Sequence, residues 1–125
     1  AVAGSSHPID TSEDNKGRFD MLKSGEFFEI PYRCIQVKGF EGILTAGRCI
    51  SADHDALGSI RPTATCMALG EAAGTAAAMA AEKGISPDKL DGVDVRKRIG
   101  WDTSRLKDFT GEIENKEPTL QRSNN

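Results

Sequence analysis

The densest run of side chains able to do chemistry lies between Gly47 and Thr63. It holds Arg48, Ser51, Asp53, His54, Asp55, Ser59 and Arg61, flanked by two apolar stretches. Polar loops held by a rigid scaffold often carry function. His54 between two aspartates suits a general acid or base, and it equally suits a solvated loop histidine. Ser51, His54 and Asp55 are the residue types of a hydrolase triad. Near neighbours in one loop rarely reach triad geometry, however, and no nucleophile elbow is present. Cys34, Cys49, Cys66, His7 and His54 are metal-ligand types, but their spacing is irregular and packed thiols are the simpler reading. Arg48 and Arg61 are suited to holding a phosphate or a carboxylate.

These residues need elements to position them. Residues 43–46, Ile-Leu-Thr-Ala, form a short apolar run ending at Gly47. Such a run suits a strand buried on both faces, as in a parallel sheet. From Ala64 to Lys83 the chain is rich in Ala, Met and Leu, all good helix formers, and Gly84 stands at the C-terminal cap position. Thr63 or Thr65 is expected to cap its other end. This helix is small and apolar nearly all round, the pattern of a buried helix. Gly70 and Gly74 share one face and leave room for another backbone. Glu71 interrupts the apolar run, which argues against a membrane helix of the Gly-x-x-x-Gly kind.

The order strand, Gly-Arg, polar loop and helix start is how an anion-friendly site is built. The first N–H groups of a helix lack internal partners, and the helix dipole adds positive charge there.

The remaining segments read more simply. Residues 1–26 are polar and read as loop. Residues 27–37 read as an extended strand interrupted at Pro31. Ser86 and Pro87 begin a second helix, short or broken at Gly92, which residues 93–99 continue. Residues 101–125 hold few apolar side chains and read as a flexible tail. A chain of 125 residues allows one domain with a modest core, and 38% hydrophobic against 28% charged residues is a soluble composition. A net charge of −3 argues against a general nucleic-acid binder. An odd count of three cysteines, with no C-x-x-C pair, argues against a disulfide framework and favours a reducing, cytoplasmic setting. Residues 1–20 contain no apolar run of the signal-peptide kind.

The wording of the chain is more specific than its pattern. Ile30-Pro31-Tyr32-Arg33-Cys34, Ala46-Gly47-Arg48-Cys49-Ile50-Ser51, His54, Gly58-Ser59-Ile60-Arg61, and Thr65 through Ala76 closely resemble the C-terminal signature of a bacterial family of FAD-dependent oxidoreductases. That family belongs to the glutathione-reductase-like flavoprotein superfamily. Ser6-His7-Pro8-Ile9-Asp10 resembles a further segment of it. The resemblance covers about residues 5–90. It implies an α/β fold: the C-terminal portion of an FAD-binding domain, with short strands and one long buried Ala/Gly-rich helix over residues 27–100. It also implies FAD as cofactor, with Ala46, Gly47, Arg48, Thr65, Cys66 and Met67 beside it. His54 and Arg61 would face the flavin or the substrate as catalytic groups, in redox chemistry on a small organic molecule.

Three positions depart from the family pattern. Ala64 replaces a proline just before Thr-Cys, and a proline appears instead at Pro62. Glu71 replaces a glutamine, and Asp53 replaces a threonine. A carboxylate beside a flavin opposes its reduction unless it points away or pairs with Arg48 or Arg61.

The G-x-G-x-x-G that grips the ADP half of FAD does not occur in the chain. The upstream part of the same protein is therefore the expected partner. Alone, the chain is expected to bind FAD weakly or not at all and to self-associate through uncovered helix faces. The competing reading is a stand-alone interaction domain that binds no cofactor.

Overall fold

The computed structural model describes residues 1–13, 16–23 and 25–101. Among these residues two small antiparallel sheets and three α-helices are present. Strand β1 (Ala3–Ser5) pairs with β4 (Phe28–Ile30), with Ala3 opposite Ile30. Strand β2 (Ile9–Glu13) pairs with β3 (Lys16–Asp20), with Ile9 opposite Asp20. Helices α1 (His54–Ile60), α2 (Thr63–Lys83) and α3 (Gly92–Ile99) follow. Single 3-10 turns stand at Tyr32–Ile35, Gly47–Cys49 and Pro87–Lys89.

Helix α2 organises the core. Leu69, Ala72, Ala76, Met79 and Ala80 recur at three- and four-residue spacing and are buried on one face. That face packs on β1, the Gly47–Cys49 and Pro87–Lys89 turns, and α3. Ile35, Leu69 and Val95 are wholly enclosed. Burying a side chain such as Leu69 or Met79 stabilises by roughly 1.5–3 kcal/mol. Gly84 ends the helix in the left-handed region, at φ 63°, which a residue without Cβ adopts at no steric cost. Asp91 caps α3 by accepting from the Val93 N–H at 2.8 Å.

Several expectations are corrected. Helix α2 is half buried, not buried all round. Met67, Gly70, Glu71, Gly74, Ala77 and Ala78 line an exposed face, and nothing among the described residues comes within 4 Å of a Cβ built on Gly70 or Gly74. The small residues that permit close packing on that face have no partner there.

Residues 1–26, expected as loop, hold three of the four strands. Their polarity reflects a two-stranded ribbon whose outer positions, such as Arg18, Phe19 and Asp20, face solvent. The expected parallel strand at 43–46 is an isolated antiparallel bridge from Leu44 to Gln36, with Ile43 49% exposed. A run that could fill the middle of a sheet has no strand on either side among the described residues. The expected strand at 27–37 shortens to β4. After Pro31 the chain turns through Tyr32–Ile35, which a residue with fixed φ and no N–H allows. The polar loop at 47–63 contains α1, capped by Asp53, whose Oδ1 accepts from the Ala56 N–H at 2.7 Å. The second helix begins at Gly92, after a single 3-10 turn that carries Pro87 at its first position. Of the expected tail, residues 102–125 lie outside the described residues. Trp101 is half-buried, edge-on to Phe27 and beneath the Arg96 guanidinium.

Candidate functional site

Three segments meet at the start of α2. Pro62 holds the N-cap position in extended backbone and offers no hydrogen-bonding side chain to the first N–H groups. The expected threonine cap is absent: Thr63 is already the first helical residue, and Thr65 is buried at the cleft facing residues 4–8. The proline two positions early therefore leaves a 21-residue helix with an uncapped positive end.

The Gly47–Cys49 turn packs on this helix start. Gly47 has φ +67°, and a Cβ there would lie 3.7 Å from Cys66 Cβ, an ordinary contact. Glycine is thus required by the sign of φ, not by lack of space. Extended backbone at Ala46 leads into the turn. Arg48 donates from Nε to the Arg61 carbonyl oxygen at 3.2 Å, and the Cys66 thiol lies 3.7 Å from the same oxygen.

Of the expected site residues, the fold therefore gathers Ala46, Gly47, Arg48, Cys66 and the backbone of Arg61 into one cluster. Thr65 lies buried at the cleft. Met67 stands one turn along α2, 71% exposed on its open face. His54 opens α1 while Arg61 caps its far end, so the helix separates the two by roughly 10 Å. The His54 ring nitrogen Nδ1 is 3.7 Å from Asp55 Oδ1.

The carboxylates flanking His54 do not pair with Arg48 or Arg61. Asp53 caps α1, and Asp55 pairs with Arg18 of β3 at 2.5 Å. Arg18 also holds Asp20, and hydrogen bonding to Asp20 with the charges of both aspartates raises its pKa further above the ordinary arginine value. Asp55 thus carries the Arg18 bridge while lying 3.7 Å from the His54 ring.

The sequence pointed to no role for Asp10 or Ser5, and it did not point to the one that His7 and Ser59 play here. Asp10 of β2 accepts from Arg61 Nη2 at 2.5 Å. Ser59 Oγ donates to the His7 carbonyl oxygen, and Ser5 Oγ donates to the Ser59 carbonyl oxygen, each at 2.7 Å. Gly58 lets this crossing happen, because a Cβ there would stand 2.7 Å from the Asp10 carbonyl oxygen. The available signal was the Pro8-Ile9-Asp10 segment, which carried resemblance without a role. A cleft of about 460 Å³ between residues 4–8 and Pro62–Thr65 runs up to the helix start. A larger groove of about 550 Å³, between β4, the Tyr32–Ile35 turn and α1, is lined by Ser51, Asp53, Asp55 and Ser59 of the polar run, but by none of the residues expected to face the flavin or the substrate.

Among the described residues no group of His, Cys, Asp and Glu could hold a metal ion, and no helix is long and apolar enough to cross a membrane. No curated protein and no solved structure gives a match to the chain. A family model described as FAD dependent oxidoreductase matches residues 1–99. The match includes all four strands, all three helices and the whole cluster at the start of α2, so the chain belongs to the FAD dependent oxidoreductase family and its cofactor is FAD.

Proposed function

We propose that this chain is the flavin-facing C-terminal part of an FAD-dependent oxidoreductase acting on a small organic substrate. The observation that carries the reading is the uncapped start of α2 beside the left-handed Gly47 turn and the Arg48 guanidinium. The donors present at this helix start fit a flavin. A flavin gains negative charge at its pyrimidine edge on reduction, and outward N–H groups, a helix dipole and a guanidinium are the groups that hold such charge. Gly47 suits close approach of the backbone to a flat ring. The ADP half has no corresponding grip, because no G-x-G-x-x-G occurs in the chain.

The flavin, when bound, supplies hydride or electron transfer. The chain's own residues do the rest. The backbone of Ala46–Arg48 and the start of α2 would hold and polarise the ring edge. His54, set apart by the length of α1, is reserved for proton transfer to or from substrate. The open Gly70–Gly74 face of α2 supports a longer protein, in which upstream segments cover that face and complete the cofactor site.

The test is flavin absorbance of the protein with its upstream sequence included. We expect it to purify yellow with one FAD per chain, and the 125-residue chain alone to take up none. A colourless full-length protein that binds no added FAD would refute the reading and leave the cofactor-free interaction domain in its place.

A further inference from the structure

We propose that Asp10 is a positioning residue that sets the charge offered to the flavin. It neutralises Arg61 and, among the described residues, leaves Arg48 as a guanidinium without an ion pair at the start of α2. The inference rests on the flavin reading above and goes beyond it.

The fold draws two arginines together. Arg48 Nε bonds the main-chain oxygen of Arg61, while the Arg61 side chain turns to Asp10 at 2.5 Å. Two guanidinium charges anchored on one residue repel unless one is compensated. The compensating carboxylate comes from a different element, β2, seated by the Gly58 crossing and by the two serine hydrogen bonds. Among the described residues Arg48 takes part in no ion pair. A second, similar bridge, Arg18 to Asp55, already fastens the same hairpin to α1. The Asp10 pair is half-exposed, and such pairs contribute about 0–1 kcal/mol to stability. Holding the hairpin therefore does not account for it as well as charge compensation does.

The role has a sign. Freeing the Arg61 cation stabilises the reduced, more negative flavin, and freeing the Asp10 anion does the opposite. A unit charge about 10 Å from the ring, at an effective dielectric of about 20, would change the equilibrium for reduction roughly tenfold. Tenfold is about 30 mV for a two-electron couple.

The experiment is redox titration of the full-length holoenzyme, read as the midpoint potential of its flavin. Asp10→Asn should raise the potential by about that amount, Arg61→Gln should lower it, and the double variant should return close to wild type. Arg18→Gln, which breaks the other bridge, should move it little. Asp10→Glu should restore the wild-type value. If wild type carries FAD and Asp10→Asn leaves the potential unchanged, or if Arg18→Gln moves it equally, the inference is overturned while the flavin reading stands. Should Asp10→Asn fail to fold, an unchanged potential in Arg61→Gln overturns it alone. A full-length protein without flavin overturns both.

Discussion

Tyr32 shows how one side chain ties distant segments. Its hydroxyl donates to the Pro87 carbonyl oxygen at 2.7 Å, and its ring lies against Gly92, where a Cβ would stand 2.5 Å from Tyr32 Cβ. Burial, with the nearby Asp88 carboxylate, raises the phenol pKa. Asp88 is itself held below the usual carboxylate range by hydrogen bonds from Ser86 and Lys89, and Lys89 is raised in return. The folded state thus binds the Tyr32 proton more tightly than the unfolded chain. That stabilisation is fully present below about pH 10 and is lost as pH rises through the elevated folded value. Melting temperature should therefore fall steeply in alkali. Tyr32→Phe should flatten that fall and cost about 0.5–1.5 kcal/mol near neutral pH through the lost hydrogen bond. An alkaline profile identical in both proteins would show that another group controls it.

Among the elements, the β2–β3 ribbon and α2 make opposite demands. The ribbon buries little and is laid on α1 by the close backbone approach at Gly58, to which the half-exposed ion pairs add little. Gly58→Ala should push the Asp10 backbone and the Thr11 methyl away and cost about 1–3 kcal/mol, read from the urea midpoint. A neutral result would mean the ribbon slides freely on α1. Helix α2 depends on one apolar face. Leu69→Ala should cost about 2–5 kcal/mol, because the enclosed site cannot collapse around the missing atoms. Met67, exposed on the other face, should accept polar replacement within about 0.5 kcal/mol in this chain.

At the scale of the whole molecule, the exposed face of α2 carries the prediction. Nothing crowds Gly74, so Gly74→Leu should stabilise the 125-residue chain by up to about 1 kcal/mol through helix propensity. If, as proposed, the chain is part of a longer protein, the same change there should lower both melting temperature and flavin content, because upstream segments would meet the added side chain. Equal effects in the two proteins would mean that this face stays open in both.

The long helix, expected over 64–83 and found over 63–83, and its glycine stop were legible in the sequence, since propensity and capping act within a few residues; the second helix, expected from Ser86-Pro87, begins only at Gly92. The words Ala46-Gly47-Arg48 and Thr65-Cys66-Met67 likewise pointed to the FAD family. What stayed hidden depends on contacts across the chain. The strands within 1–26 form because each pairs with a partner, and a polar ribbon lacks the apolar alternation that announces a strand. Residues 43–46 have the composition of a buried strand but find no neighbours, so composition misled where pairing decides. Pairing of Asp10 with Arg61, across 51 residues, needs the hairpin laid on Gly58 before the two charges can meet. Local propensity is written along the chain, whereas the partner of a charge or a strand is settled by which elements pack together.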